Sequence, residues 1–351
     1  MKKNFRMKKA FVRNYILLPF VLIILVGTIW GIRIYQKVYK PNIKAPTSKL
    51  YIPTGANYKD VIEIIKKDSL LINIDSFKWL AEKKNYPNHV YAGRYILDST
   101  MSNNDLINKL RAGFQDPVKV IFNSIRTREK LAGIIAEQIE ADSLKLVKLF
   151  YNDSVIENYG FSRETFTCIF LPNTYEFWWN TSAKKFVDRM YKEYTRFWND
   201  ERLRRATNLK LTPEEVITLA SIVDEETYYN GEMPRVAGVY INRLRKRMHL
   251  QADPTLKFAL GDFSIKRVLN VHKQIDSPYN TYKSYGLPPG PISIPSVAAI
   301  NAVLNYEHHN YLYFCAKPDF SGYHNFAKTL SQHNVNAREY QRALNKERIW
   351  R

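Results

Sequence analysis

The sequence predicts an α+β protein: one apolar amino-terminal helix, a small strand-and-helix module after it, and a larger mixed α/β domain in the carboxy-terminal half. Three patterns carry this reading. Residues 15–32, YILLPFVLIILVGTIWGI, have no formal charge. Residues 48–113 interleave short alternating runs with short runs of helical period. From residue 182, long helical patterns give way after residue 250 to a loop dense in Pro, Gly and Tyr.

The uncharged run follows a basic tail, residues 1–14, with six Lys/Arg and no acid. It is about as long as a bilayer core requires, and no A-x-A-like cleavage site follows it, so residues 15–34 are expected to be an uncleaved transmembrane helix rather than a signal peptide. Lys8, Lys9, Arg13 and the other tail cations place the amino terminus in the cytoplasm. The expected location is single-pass in the inner (cytoplasmic) membrane, with everything after a 35–48 linker extracytoplasmic (periplasmic).

The net charge is +20. Six of these charges belong to the tail and the rest are interspersed with acids, apart from NRLRKRMH. With an extracytoplasmic location this excludes nucleic acid as the natural partner and suits an anionic surface or wall polymer. Cys168 and Cys315 are distant in sequence and lie in apolar runs, so either one disulfide or two small buried thiols fits, and the apolar surroundings favour the thiols. No CxxC, HExxH or compact His/Asp cluster occurs, so no metal or other cofactor is expected. The absence of G-x-S-x-G argues against a serine hydrolase.

In the module, residues 49–114, SKLYIPTG reads as a strand ending in a turn, NYKDVIEIIKKDSLL and DSFKWLAEKKN as helices, YAGRYILD as a strand, and SNNDLINKLRAG as a helix opened by a capping-type Ser/Asn and closed on Gly113. A connecting segment, 115–165, contains a strand, PVKVIFN, and two helices. The final domain, 166–346, is expected to contain one long helix over 182–206, a helix over PEEVITLASIVDEET, the loop SPYNTYKSYGLPPGPISIPS, and a strand YLYFCAK.

The helix at 213 is well specified: Thr212, Pro213 and Glu215 form a capping box with proline at the first position. It ends in three acids. On a 3.6-residue period Glu226 falls at the edge of the apolar face of Val216, Leu219 and Val223, Asp224 lies at the other margin, and Glu225 points away. Acids at i and i+2 diverge, so they cannot act as a pair across one bond. One acid working alone, partly desolvated and therefore protonated near neutrality, is the catalytic option, with Glu226 and Asp224 as candidates. The plain alternative is a solvated helix end paired with Arg235 or Arg243.

Across nearly its whole length the chain resembles the YceG-like (MltG) endolytic murein transglycosylases. LASIVDEET, VAGVYINRLRKRMHLQADPT, SPYNTYKSYGLPPGPI and YLYFCAKPDFSGYHNFAKTLSQHN follow that family's motifs in its order. The resemblance implies a LysM-like module before a catalytic domain, and a lyase that cuts the MurNAc–GlcNAc β-1,4 bond of nascent peptidoglycan, leaving 1,6-anhydroMurNAc ends and terminating elongation. It makes Glu226 the catalytic acid and Asp224 a supporting residue. Gln251, Asp253, Asn280, Thr281, Tyr282 and His324 become candidate sugar-binding groups, since they offer amides, hydroxyls and rings. Asp253 before Pro254 and Asn280 in its loop also suit purely structural roles. Asp224, where the family has Glu, and Ser296, where relatives have Gly, depart from the pattern. Expected partners are glycan strands, the membrane, and cell-wall synthases. A competing reading is a catalytically silent glycan-binding scaffold that recruits synthesis proteins.

Overall fold

A computed structural model describes residues 2–265 and 268–347, with side chains from Pro19 onward. The side chains of the basic tail, including Lys8, Lys9 and Arg13, lie outside the described residues. The chain is mixed α/β and divides into two compact units, Met1–Val118 with Glu176–Asn180, and Lys119–Tyr175 with Thr181–Arg351.

In the first unit, α1 (Lys2–Tyr39) carries a stretch, Pro19–Tyr39, long and apolar enough to cross a membrane, and side chains such as Phe20, Leu22 and Ile23 are exposed along it. The helix outlasts the expected span. Residues 35–39, expected in the linker, continue it because the first breaker is Pro41, which disfavours helical geometry at Lys40. After it come β1 (Thr47–Ile52), α2 (Tyr58–Lys67), α3 (Ile74–Lys83), β2 (Gly93–Asp98) and α4 (Asn103–Arg111). β1 and β2 pair antiparallel with Leu50 opposite Tyr95, and their alternation buries Leu50, Ile52, Tyr95 and Leu97 against Val61, Ile65, Phe77 and Leu106. Asn57 with Asp60, and Ser102 with Asp105, close capping boxes on α2 and α4.

Beneath this core lies a buried polar knot. Asn42 Nδ2 donates to Asn103 Oδ1 (2.7 Å) and to the Asn73 carbonyl, while Asn42 Oδ1 accepts from the Asn73 amide. Asn103 Nδ2 donates to Ser76 Oγ and to the Lys37 carbonyl (2.8 Å), which fastens the end of α1 to α4.

The second unit contains most of the helices. β3 (Val118–Phe122), α5 (Arg128–Ala136), α6 (Ser143–Phe150) and α7 (Asp153–Asn158) come first, so from Lys119 the segment expected to be a connector groups with this unit. β4 (Asn173–Phe177) pairs with β3. The expected long helix over 182–206 is two, α8 (Ala183–Phe197) and α9 (Asp200–Leu209), because the Asn199 side chain accepts the Arg202 amide and starts a new helix. α10 (Pro213–Glu226), α11 (Met233–Arg245), α12 (Asp253–Leu260) and α13 (Val297–Leu304) form the centre, and α10 packs on α9, α11, α12 and α13. β5 (Tyr313–Ala316) pairs antiparallel with β6 (His324–Ala327), and α14 (Leu330–Lys346) packs on both. Cys168 is fully buried and Cys315 half-buried, both as free thiols.

Replacing Asn42 by Ala should strand the Asn73 amide and Asn103 Oδ1 and cost the first unit about 2–3 kcal/mol. Hydrogen exchange of the β1–β2 amides would read this as faster opening.

Candidate active site

α10 starts where its sequence demands. Thr212 accepts the Glu215 amide, Glu215 accepts the Thr212 amide, and Pro213 occupies the first turn. Every residue from Val216 to Val223 is buried, so the helix is a core element whose position is fixed from all sides. Ser221 Oγ accepts the Ile292 amide (3.0 Å), tying the Pro/Gly loop to the helix. Gly290 makes the loop's closest approach: a Cβ there would lie 2.4 Å from the Glu164 carbonyl oxygen.

The three acids at its end fan apart as a 3.6-residue helix requires. Asp224 accepts from Ser124 Oγ and from both the amide and the hydroxyl of Ser296, the last at 2.6 Å. Ser296 in turn caps α13 by accepting the Ala299 amide. The two residues expected to depart from the pattern of the resembling family, Asp224 and Ser296, are therefore bonded to each other. Glu225 is held by Arg126 in a two-pronged pair (3.0 and 2.7 Å), not by Arg235, which pairs with Glu307, nor by Arg243.

Glu226 turns into a cavity of about 350 Å³, lined also by Tyr240, Gln251, Asp253, Tyr282 and His324. The residue as a whole is half-buried and opens on the cavity, while its carboxyl is enclosed by protein. This loss of water pushes its pKa up to about 7 from an ordinary 4.5. A hydrogen bond from Tyr240 Oη (2.6 Å) acts in the opposite direction, the nearby Asp253 carboxylate raises the value, and Lys257 and Arg243 lower it. The carbonyl end of α10 adds a further unfavourable field for a negative charge.

The other expected residues divide. Asp253, at the start of α12, faces the cavity and is pinned by Tyr282 Oη at 2.5 Å. Gln251 also lines the cavity, from a left-handed backbone (φ 51°) that turns the chain into α12 while its amide is held by the Thr281 carbonyl. His324 lines it too, yet is anchored on Glu232 rather than on Glu226: the two Glu232 oxygens accept from its amide (2.9 Å) and from Nδ1 (2.8 Å), and among the described residues Nε2 is left without a hydrogen bond.

Asn280 and Thr281, expected among the sugar-binding groups, are buried behind the wall and do not line the cavity. Asn280 donates to the Lys273 and Ile275 carbonyls and accepts the Tyr282 amide; Thr281 Oγ1 accepts the Ala252 amide. These bonds occupy the polar atoms of both side chains in shaping the loop that presents Tyr282.

The residues missed in sequence are Tyr240 and Glu232, while Arg243 was weighed only as a partner of the three acids and His333 only as a metal ligand. Arg243 is buried and donates to the carbonyls of Leu312 (2.6 Å), His249 and Leu250, binding α11 to β5 and to the turn before Gln251. His333 stacks on Tyr313 at the cavity wall, and its buried Nδ1 has no hydrogen-bond partner among the described residues. The one sequence signal for Tyr240 was a polar-tipped ring on the otherwise apolar face of VAGVYINRL.

The model of the YceG-like family matches residues 50–339 of this chain. The chain belongs to the YceG-like family. Its similar relatives include the endolytic murein transglycosylase of Bacillus subtilis, 28% identical over 84% of this chain and 85% of that one, and that of Streptococcus pneumoniae, 27% identical over 95% of this chain. This YceG-like chain spans 65% of the pneumococcal protein's length. A crystal structure of a yceG-like protein from Listeria monocytogenes is similar at TM-score 0.55 and 28% identity, covering 83% of this chain and 98% of that one.

The raised pKa gives a signed prediction for this YceG-like chain. Between about pH 4.5 and 7 the unfolded chain releases the Glu226 proton while the folded chain keeps it, so stability falls as pH rises through that window and levels off above it. Glu226→Gln removes this dependence. Its stability relative to the parent should therefore climb by up to about 3 kcal/mol between pH 4.5 and 7.5 in urea titrations.

Proposed function

We propose that this chain is a membrane-anchored endolytic lytic transglycosylase that cleaves the MurNAc–GlcNAc β-1,4 bond of nascent peptidoglycan, leaves 1,6-anhydroMurNAc ends and terminates strand growth, with Glu226 as its acid and base. The observation that carries this is one carboxyl, enclosed at the end of a core helix, facing a cavity and holding its proton near neutral pH.

Protonated Glu226 donates to the glycosidic oxygen as the bond breaks. The carboxylate so formed is stabilised by the Tyr240 hydroxyl, and then takes the proton of the muramyl C6 hydroxyl as that oxygen closes on the anomeric carbon. The nucleophile belongs to the sugar, so no water is activated. Asp253, held by Tyr282, places a negative charge where positive charge develops on the sugar ring and keeps Glu226 protonated beforehand. Gln251, His324 and His333 offer polar groups to the sugar hydroxyls and acetamido groups.

The β1–α2–α3–β2 order of the first unit supports a LysM-like module. The exposed apolar stretch of α1 supports a single-pass anchor in the cytoplasmic membrane, with the catalytic unit on the far side and synthases as neighbours.

Glycan strands digested by the full-length protein in detergent should yield 1,6-anhydro ends by mass spectrometry; reducing ends would make it a hydrolase. Glu226→Gln should lower the rate by about a hundredfold to ten-thousandfold with the fold intact, and such a loss also excludes a silent scaffold. Glu225→Gln should change little. Asp224→Asn should fall between them, because it loosens Ser124 and Ser296 without reaching the sugar.

A reporter fused after residue 40 should read as extracytoplasmic. A cytoplasmic signal would overturn the location.

A further inference from the structure

At the start of α5 lies a hollow of about 340 Å³ that the proposed reaction does not use. Its floor holds Arg128, 8% exposed, whose guanidinium meets only neutral acceptors: Thr167 Oγ1 (3.1 Å), the Phe150 carbonyl (2.9 Å) and the Arg163 carbonyl. These take three of its five N–H donors. The carboxylates of Glu129 and Glu164 act on this charge through space without a direct hydrogen bond, so among the described residues two of its donors are left to meet an anion in the hollow.

Beside it Ser293, 2% exposed, lines the same hollow with a hydroxyl that has no hydrogen-bond partner among the described residues. Arg163 stands at the rim, more than half exposed, with a loose 3.8 Å contact to Asp153. The hollow's own carboxylates are engaged: Glu129 accepts from Tyr151 Oη and Glu164 from Ser162 Oγ. The amino-terminal end of α5 opens here as well, and its field favours an anion.

The hollow also adjoins a cavity at the end of α10. It shares Arg126 and Thr127 with a neighbouring cavity lined by Asp224, Glu225 and Thr227, the residues on either side of Glu226. A polar chain lying along the α10 end can therefore reach both.

We infer that this hollow is a second binding site, taking a carboxylate of the peptide that the glycan carries on its muramyl residues. The carboxylate lies between Arg128 and Arg163 and accepts from Ser293, while Glu129 and Glu164 receive the peptide's N–H groups. This rests on the glycan-cleaving reading above and extends it from bond to substrate form: the enzyme prefers strands that still bear their peptides.

The experiment compares full-length protein in detergent on peptide-bearing strands and on strands stripped by an amidase. Charge-assisted hydrogen bonds of this kind are each worth a factor of about ten or more, so kcat/KM on peptide-bearing strands should exceed that on stripped strands at least about tenfold. The double variant Ser293→Ala, Arg163→Gln should bring that ratio to about one. Ser293→Ala removes an unpartnered buried hydroxyl, so a melting temperature at or above the parent's confirms an intact fold. Equal rates in the parent, or a preference retained by the variant, overturn the inference.

Calorimetry with the free peptide L-Ala-γ-D-Glu-meso-diaminopimelate on Glu226→Gln protein separates this from the chemistry. Binding that the double variant abolishes supports the hollow whatever bond Glu226 breaks, and absence of binding overturns it.

Discussion

The site depends on placing a carboxyl where water cannot reach it freely, at the carbonyl end of a helix whose every middle residue is buried. Nothing about a glutamate makes it a neutral-pH acid; its surroundings do. Burial raises its pKa, Asp253 raises it further, and the Tyr240 hydroxyl and two cations hold the rise to a value from which the proton can still leave. Much of the second unit follows from that placement. α11 brings Tyr240 to the carboxyl, Arg243 locks α11 to β5, and the loop from 277 to 296 closes over α10 through Ser221.

The two parts of the chain solve different packing problems. The first unit is small, and a knot of asparagines and Ser76 takes up the backbone groups that its short elements leave unpaired. The second has a large apolar centre and directs its buried polar groups to loops: Asn280, Thr281 and Arg243 each satisfy carbonyls or amides of segments without regular structure. Loops held this way can present Tyr282 and Gln251 to a ligand without moving.

What could be read from the sequence was what neighbours along the chain decide. Thr212, Pro213 and Glu215 marked the start of α10 to the residue, the Ser/Asn run at 102–104 marked that of α4 within a residue or two, and the 3.6-residue period predicted that the three acids would diverge. The family motifs led to Glu226. Partners from distant segments were not legible. Tyr240 and Glu232 matter because α11 and β6 pack where they do, and Asn280 and Thr281 resembled ligand groups because residues that close polar loops and residues that bind sugars have the same chemistry. The break at Asn199 was hidden inside an otherwise continuous helical pattern, where a capping asparagine reads like any polar surface residue.

The fan of acids has a directional consequence for how this segment can vary. Each position at the helix end is a bearing: one toward the two serines, one toward Arg126, one toward the cavity. One residue added between Val223 and Asp224 turns the run by about 100° and brings Glu225 to the cavity bearing, so a carboxyl still stands there, while the serines lose theirs. One residue removed brings Thr227 instead, and the cavity is left with a hydroxyl in place of a carboxyl. The doubled glutamate thus makes the frame forgiving toward lengthening and intolerant of shortening.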